Sequence, residues 1–219
     1  MFATMFVPSS SNMNFPAPLA VLAFLAAVAG LVLALASAAI AWFARKPKFA
    51  RNCLLAISAG AASYLGLLLG FSLASHTSTL AHNQEKYFCE MDCHLAYSLL
   101  DVKTEPSAGA THYLVTLRTR FDETTTSPSR PKDFPLTPNP RTVLLLDASG
   151  HQYQPVATQG TPLLTPLKPS DSYTTQLAIE VPLDAKDLRL LITTTPSWPD
   201  LVVIGHENSL LHHKTYFAL

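Results

Sequence analysis

Two cysteines, a methionine and a histidine lie within one run of six residues in this 219-residue chain. The run reads Cys89, Glu90, Met91, Asp92, Cys93, His94. Thiolate and thioether sulfurs are soft ligands that select Cu(I), and imidazole also binds copper. The first hypothesis is therefore a site for copper or another metal, with Cys89, Met91, Cys93 and His94 as its ligands.

The spacing Cys-x-x-x-Cys resembles the binuclear copper loop of cytochrome oxidase subunit II, which a β-sandwich carries after a two-helix hairpin. That resemblance implies a redox accessory role with copper as cofactor. In the oxidase motif a further histidine and a methionine follow the second cysteine, whereas residues 95–98 offer no further ligand here. The missing ligands would have to come from His206, His212 or His213.

Three other interpretations of this run stand beside the metal site. Covalent haem usually attaches at Cys-x-x-Cys-His, and the run departs from that pattern by one extra residue. A Cys89–Cys93 disulfide suits an oxidising compartment, but an extended strand would hold the two Cα atoms about 13 Å apart, so the bond requires a turn. In the third interpretation one strand runs unbroken from Tyr87 to Leu99, and the sulfurs face a protein core as small apolar groups.

The elements that must position this run begin with two apolar segments. Residues 18–43 are almost wholly apolar, and about 20 residues suffice for a helix to cross the hydrocarbon core of a membrane. A second run covers residues 53–74 with few polar interruptions. We therefore predict a short N-terminal segment over 1–17, a transmembrane helical hairpin over 18–75 and a separate domain over 82–219.

Charge predicts the orientation of this hairpin. The loop 45–51 carries Arg45, Lys46, Lys48 and Arg51, whereas all fifteen acidic residues follow position 84. The positive-inside rule therefore places the loop in the cytoplasm of a multi-pass protein of the cell membrane, with both chain ends outside. The C-terminal domain is then extracytoplasmic, and periplasmic in a Gram-negative cell.

The C-terminal domain alternates apolar and polar residues with a period of two, which is typical of half-buried β-strands. The clearest stretches are 87–99, 113–121 and 173–181, and the shorter candidates are 141–146, 151–156, 188–194, 201–204 and 214–219. We count about eight strands separated by turns that contain proline, glycine or aspartate, and no helix of useful length. This pattern predicts an all-β antiparallel sandwich.

A membrane anchor followed by a strand and by residues 111–121 resembles the telokin-like and immunoglobulin-like extracytoplasmic domains of bacterial lipoproteins and membrane proteins. The segment 167–182, in which a turn leads into a strand that ends at Pro182, is similar to the corresponding part of those domains. The resemblance implies an immunoglobulin-like sandwich over roughly residues 85–219 and a role in binding or assembly. This chain differs from the usual lipoprotein by its two spans and by lacking a lipobox cysteine.

Composition and motifs exclude several classes of function. The hairpin loop takes four of the fifteen basic residues, so the remainder of the chain is acidic and lacks the basic face that nucleic-acid binding needs. The sequence holds no nucleophile elbow and no glycine-rich phosphate loop, and the spans lack the central charges of ion pathways. We expect a module that is not an enzyme, has no cofactor, and binds both the bilayer and a membrane or envelope protein. The alternative is a copper-binding or redox accessory subunit.

Overall fold

Two long helices open the described part of the chain. The computed structural model describes residues 10–89, 92–107, 109–126, 131 and 133–219. Helix α1 (Ala17–Phe43) and helix α2 (Pro47–Leu73) each have 27 residues, so each is about 40 Å long at about 1.5 Å per residue. Their length and apolar composition make both of them candidate membrane spans.

The two helices form a hairpin that leaves most of its apolar surface exposed. Large exposed side chains such as Leu33, Ile40 and Leu67 lie along both helices. The buried positions are mainly small residues, namely Ala17, Ala20, Ala38, Ala41, Ala50, Leu68 and Ser72. Ala17 and Ala20 are buried against Met13 and Cys89, and the exposed large side chains suit contact with lipid.

The second helix begins earlier than the sequence predicts. The apolar run 53–74 starts at Cys53, but α2 begins at Pro47. Proline suits the first turn of a helix because its missing N–H would have no partner there. Lys48 and Arg51 therefore belong to the start of α2, and only residues 44–46 connect the two helices.

A β-rich domain follows the hairpin. Its strands are β1 (Ser78–Leu80), β2 (Glu85–Phe88), β3 (Leu95–Ser107), β4 (Ala110–Phe121), β5 (Arg141–Leu146), β6 (Gln152–Tyr153), β7 (Pro155–Gly160), β8 (Ser172–Pro182), β9 (Arg189–Thr194) and β10 (Thr215–Ala218). Two short 3-10 helices, Glu123–Thr125 and Pro199–Val202, lie between strands.

The strands form two five-stranded sheets. Sheet I has the order β1-β10-β9-β5-β6, and sheet II has the order β2-β3-β4-β8-β7. Neighbouring strands are antiparallel except for β1 and β10. Alternate residues of both sheets meet in one hydrophobic core, as Leu117 and Ile179 of sheet II and Leu145 and Ile192 of sheet I do. The two-sheet antiparallel architecture expected from the sequence is present.

Three predicted strands differ from the observed ones. Residues 201–204 continue a 3-10 helix into turns, and residues 151–156 divide between β6 and β7, which belong to different sheets. The strand predicted over 87–99 is interrupted between Phe88 and Leu95. The three-residue strand β1 was not predicted, because a period of two cannot be read from so few residues.

Candidate functional site

The cysteine loop, residues 89–94, connects two antiparallel strands. Phe88 at the end of β2 pairs with Leu95 at the start of β3, so the chain reverses direction within the loop. Cys89 and Cys93 form a disulfide, and their Cα atoms are 4.1 Å apart. The interpretation of an unbroken strand with both sulfurs facing the core is therefore wrong. Glu90 and Met91 lie outside the described residues.

The residues of β2 that face the core also differ from those predicted. The alternation placed Tyr87 on the core side, but Lys86 and Phe88 are the buried residues of β2. Because the turn breaks the register of the apolar pattern, Tyr87 lies on the opposite face from Tyr97 and Leu99 of β3, which are core residues.

The His94 ring has a polar partner at each of its nitrogens. Its ring Nδ1 lies 2.6 Å from Thr125 Oγ1, and its Nε2 lies 2.8 Å from Asp92 Oδ2. The buried ring also stacks on Phe121, with the ring centroids 5.3 Å apart. Both ring nitrogens are thus engaged, and the ring pins the end of the cysteine loop to the start of the segment after β4.

The described members of the proposed metal site, Cys89, Cys93 and His94, have other partners in this structure. The sulfurs of Cys89 and Cys93 are bonded to each other, so a thiolate site would first require reduction of the disulfide. Among the described residues, no group of three or more His, Cys, Asp or Glu side chains is placed to hold a metal ion. Of the three more distant histidines, His206 shares a cleft with Cys89, whereas His212 and His213 contact each other and the chain after α2.

The N-terminal segment, residues 10–16, packs against the cysteine loop. Asn12 is fully buried, and its side-chain Oδ1 accepts a hydrogen bond of 2.7 Å from the backbone N–H of Cys89. The Asn12 N–H donates to Tyr87 O at 3.0 Å, and the Asn12 carbonyl accepts from Glu207 N–H at 2.8 Å. Asn12 therefore joins the edge of sheet II to the loop that precedes β10, and it does so from a segment that precedes α1.

A cleft of about 370 Å³ opens beside the disulfide. Its apolar wall includes Met13, Val21 of α1 and Val203, and its polar wall includes Arg141, Asp200 and His206. Burial lowers the pKa of His206, which favours the neutral imidazole. The His206 Nδ1 accepts a hydrogen bond of 3.0 Å from Asn208 N–H, so its Nε2 carries the proton in the neutral ring. The cleft can accept an amphipathic group. Two of its lining residues face each other, with Thr194 Oγ1 3.5 Å from His206 Nε2, and because Nε2 carries the proton in the neutral ring it cannot take one from the Thr194 hydroxyl.

An ion-pair network joins β2 to β4 and to the residue that follows β4. Arg120 donates to both carboxylate oxygens of Glu85, at 2.7 and 2.6 Å, and to Asp122 Oδ2 at 3.1 Å. The Tyr87 hydroxyl donates to Asp122 Oδ2 at 2.6 Å. Burial on its own would raise the pKa of Asp122, but hydrogen bonds from Tyr87 and Thr124 outweigh it and lower that pKa to about 2. Each member of this network has a partner, as expected of a structural cluster.

A buried ion pair joins the two sheets on the opposite face of β2 from this network. Lys86 is fully buried, and its ammonium donates to Glu207 Oε2 at 2.7 Å, to Ile192 O at 2.6 Å and to Thr215 O at 3.2 Å. Thr193 Oγ1 donates to the other Glu207 oxygen at 2.8 Å. Burial lowers the pKa of Lys86, and the attraction of Glu207 opposes that shift. Sequence reasoning missed this pair because its members are 121 residues apart.

Comparison of the chain with known protein families, with curated proteins and with solved structures finds no match. Function is therefore inferred from the described residues themselves. Their polar clusters, namely the network around Arg120, the pair formed by Lys86 and Glu207, and the contacts of His94, are satisfied within the protein. Fully satisfied networks of this kind rigidify a fold.

Proposed function

We propose that the protein is a membrane-anchored, extracytoplasmic module that assembles with another membrane or envelope protein and is not an enzyme. The proposal includes an immunoglobulin-like arrangement for the sandwich and a cytoplasmic position for the cationic turn of the hairpin, as the positive-inside rule predicts. Two features of the described residues support it: the rigid attachment of the β domain to the hairpin, and an exposed face of small residues on α2.

The β domain is attached to the hairpin directly and through the N-terminal segment. Asn14 donates from its backbone N–H to Gly205 O of the β domain at 2.9 Å and from its Nδ2 to Phe71 O of α2 at 2.8 Å. Ser72 Oγ and Ser209 Oγ, both buried, are 3.2 Å apart. A domain held in this way keeps one orientation relative to its anchor, which suits a module that presents fixed surfaces to a neighbour in the same membrane.

The observation that carries the proposal is the exposed stripe of small residues on α2. Ala59, Ser63, Gly66 and Gly70 recur at the spacing of one helix face, and all four are exposed. A Cβ atom added at Gly66 or Gly70 would meet nothing within 4 Å. The buried residues in this part of α2 are Leu68 and Ser72, which lie outside the stripe. Glycines four residues apart let a second helix approach closely in lipid, so a partner helix can pack where α1 does not.

The test replaces both glycines of the stripe in the full-length protein. We expect Gly66→Leu with Gly70→Leu to lower the amount of partner recovered with the protein from native membranes about ten-fold, which corresponds to about 1.4 kcal/mol. The control is Gly30→Leu in α1, because Gly30 is also an exposed helical glycine with nothing within 4 Å of an added Cβ. Recovery of each co-purified protein is measured by quantitative mass spectrometry after mild cross-linking.

The comparison between the two variants decides the outcome. A partner lost from the Gly66 and Gly70 variant and retained by the Gly30 variant supports assembly through the stripe. Equal recovery of every co-purified protein from both variants and the wild type contradicts it. Recovery of only further copies of this chain contradicts a hetero-partner.

A further inference from the structure

A loop of the β domain reaches back along the hairpin. This tryptophan loop, residues 195–202, contains the 3-10 helix Pro199–Val202. The Tyr64 hydroxyl of α2 donates to Val202 O at 2.7 Å, and the Trp198 ring contacts Phe24 of α1 with the ring centroids 6.5 Å apart. At about 1.5 Å per residue, Tyr64 lies about 14 Å before the end of α2, and Phe24 lies about 10 Å after the start of α1.

The depth of these contacts follows from the cationic end of α2. The hydrocarbon core takes about 20 helical residues. Counted from Arg51, which needs a headgroup or aqueous environment, the core would extend to about Phe71 of α2. Tyr64 then lies about 10 Å inside the outer boundary of the hydrocarbon. Val202, which accepts the Tyr64 hydrogen bond, is held at a similar level.

The side chains of the tryptophan loop suit that level. Trp198 is 74% exposed and Leu201 is 51% exposed, and Leu210 and Leu211 beside them are also exposed. Tryptophan is enriched where a membrane meets water, because its ring is apolar and its N–H can still bond. Asp200, the acidic residue of the loop, contributes to the wall of the cleft that also contains Arg141 and His206.

The backbone of the loop also satisfies much of its own hydrogen bonding. Asp200 N–H donates to Ser197 O at 3.2 Å, Leu201 N–H donates to Trp198 O at 3.3 Å, and Leu210 N–H donates to Leu201 O at 3.1 Å. The Asp200 carboxylate accepts from Ser197 N–H at 3.1 Å. Two prolines of the loop have no N–H to satisfy. Low-dielectric surroundings demand this kind of internal pairing.

The geometry points to a third membrane contact: the tryptophan loop is a wedge that inserts Trp198 and Leu201 among the lipids of the leaflet on the side of the β domain. Insertion of about 5–10 Å is the depth that amphipathic elements reach at the boundary between headgroups and acyl chains. The inference rests on the membrane anchoring proposed above. It assigns the bilayer as the ligand of this loop, so that the β domain is held to the membrane surface by three elements and not by the hairpin alone.

The chain contains two tryptophans, Trp42 and Trp198, which allows a direct test. The full-length protein is reconstituted in phosphatidylcholine vesicles as Trp42→Phe, which retains Trp198, and as Trp198→Phe, which retains Trp42. A third protein carries Leu183→Trp with both natural tryptophans replaced by phenylalanine. Leu183 is 67% exposed and follows Pro182, which pairs with Ala110 at the end of the sheet far from the cysteine loop.

Tryptophan emission is measured with nitroxide-labelled phosphatidylcholine and, separately, with aqueous iodide. We expect the nitroxide lipid to lower the Trp198 emission about two-fold, because the ring inserts among the lipids, and iodide to change it little. The tryptophan of Leu183→Trp should show the reverse.

Two results would overturn the inference. In the first, Trp198 is quenched by iodide and not by the nitroxide lipid; in the second, it is shielded from both, which would mean that protein covers it. The Trp42 emission separates this failure from failure of the anchor. Quenching of Trp42 by the lipid would leave the hairpin in the membrane without the wedge, whereas insensitivity of both tryptophans to the lipid would contradict the anchor as well.

Discussion

Replacement of Lys86 by methionine tests whether the buried ion pair contributes to the stability of the β domain. Methionine keeps much of the side-chain length but removes the ammonium that donates to Glu207. The Glu207 carboxylate then stays buried and keeps the Thr193 hydroxyl, 2.8 Å away, as a side-chain donor. Breaking a buried pair by removing one partner typically costs about 3–5 kcal/mol, because the other charge stays uncompensated. We therefore expect Lys86→Met to lower the free energy of unfolding of the β domain by that amount.

The magnitude is checked with a double-mutant cycle. Glu207→Gln removes the negative charge, so Lys86→Met combined with Glu207→Gln should be less destabilised than Lys86→Met alone. The assay is chemical unfolding of the full-length protein in nanodiscs, followed by the circular dichroism of the β domain. Lys103→Met is the matched control, because Lys103 is exposed on β3 and such a change usually alters stability by no more than about 0.5 kcal/mol.

Two results would refute the predicted contribution of the ion pair. Stability of Lys86→Met within about 0.5 kcal/mol of the wild type would mean that the pair is not buried as described. A double variant as unstable as the sum of the two single variants would mean that the two charges do not interact.

Three further predictions concern the cysteine loop and its surroundings. The denatured, unreduced protein should titrate as one thiol, from Cys53, and reduction should raise that number to three; replacement of Cys89 and Cys93 by serine should cost about 2 kcal/mol in unfolding, as the chain-entropy model gives for so short a loop, and three thiols before reduction would contradict the disulfide. Asn12→Ala should cost about 1–3 kcal/mol and speed hydrogen exchange at the Cys89 amide, which loses its buried acceptor; an unchanged exchange rate would contradict that contact. Asp122 has a pKa of about 2 in the folded protein and 3.8 ordinarily, so its stabilising contribution is complete above the ordinary value and is lost as the pH falls towards 2; Asp122→Asn should flatten the acid unfolding curve over that range, and an unchanged curve would contradict the shift.

Local periodicity allowed much of the fold to be predicted. The strands β4 and β8 alternate between buried and less buried residues, so their pattern can be read from neighbouring residues alone. The two helices are apolar for longer than a core helix requires. These elements carry their signal within a single segment of the chain.

The candidate site depends on contacts between distant segments, and sequence reasoning therefore missed most of it. The alternation of apolar residues runs through the cysteine loop, so the turn between Phe88 and Leu95 leaves no break in the pattern. The burial of Lys86 depends on Glu207, far along the chain. The burial of Asn12 depends on the Cys89 amide, although Asn12 precedes the hairpin and Cys89 follows it. A disulfide was one of the open alternatives, but the choice among them needed the Cα separation.

The most direct test of assembly through α2 is photo-cross-linking in native membranes. A photoreactive residue is placed at Ser63, on the exposed stripe, and in a second protein at Leu65, which is exposed on a different face of the same helix. We predict a discrete adduct with one other membrane or envelope protein from position 63 and none from position 65. The absence of an adduct at position 63, or the same adducts from both positions, would contradict a partner that packs on the small-residue face.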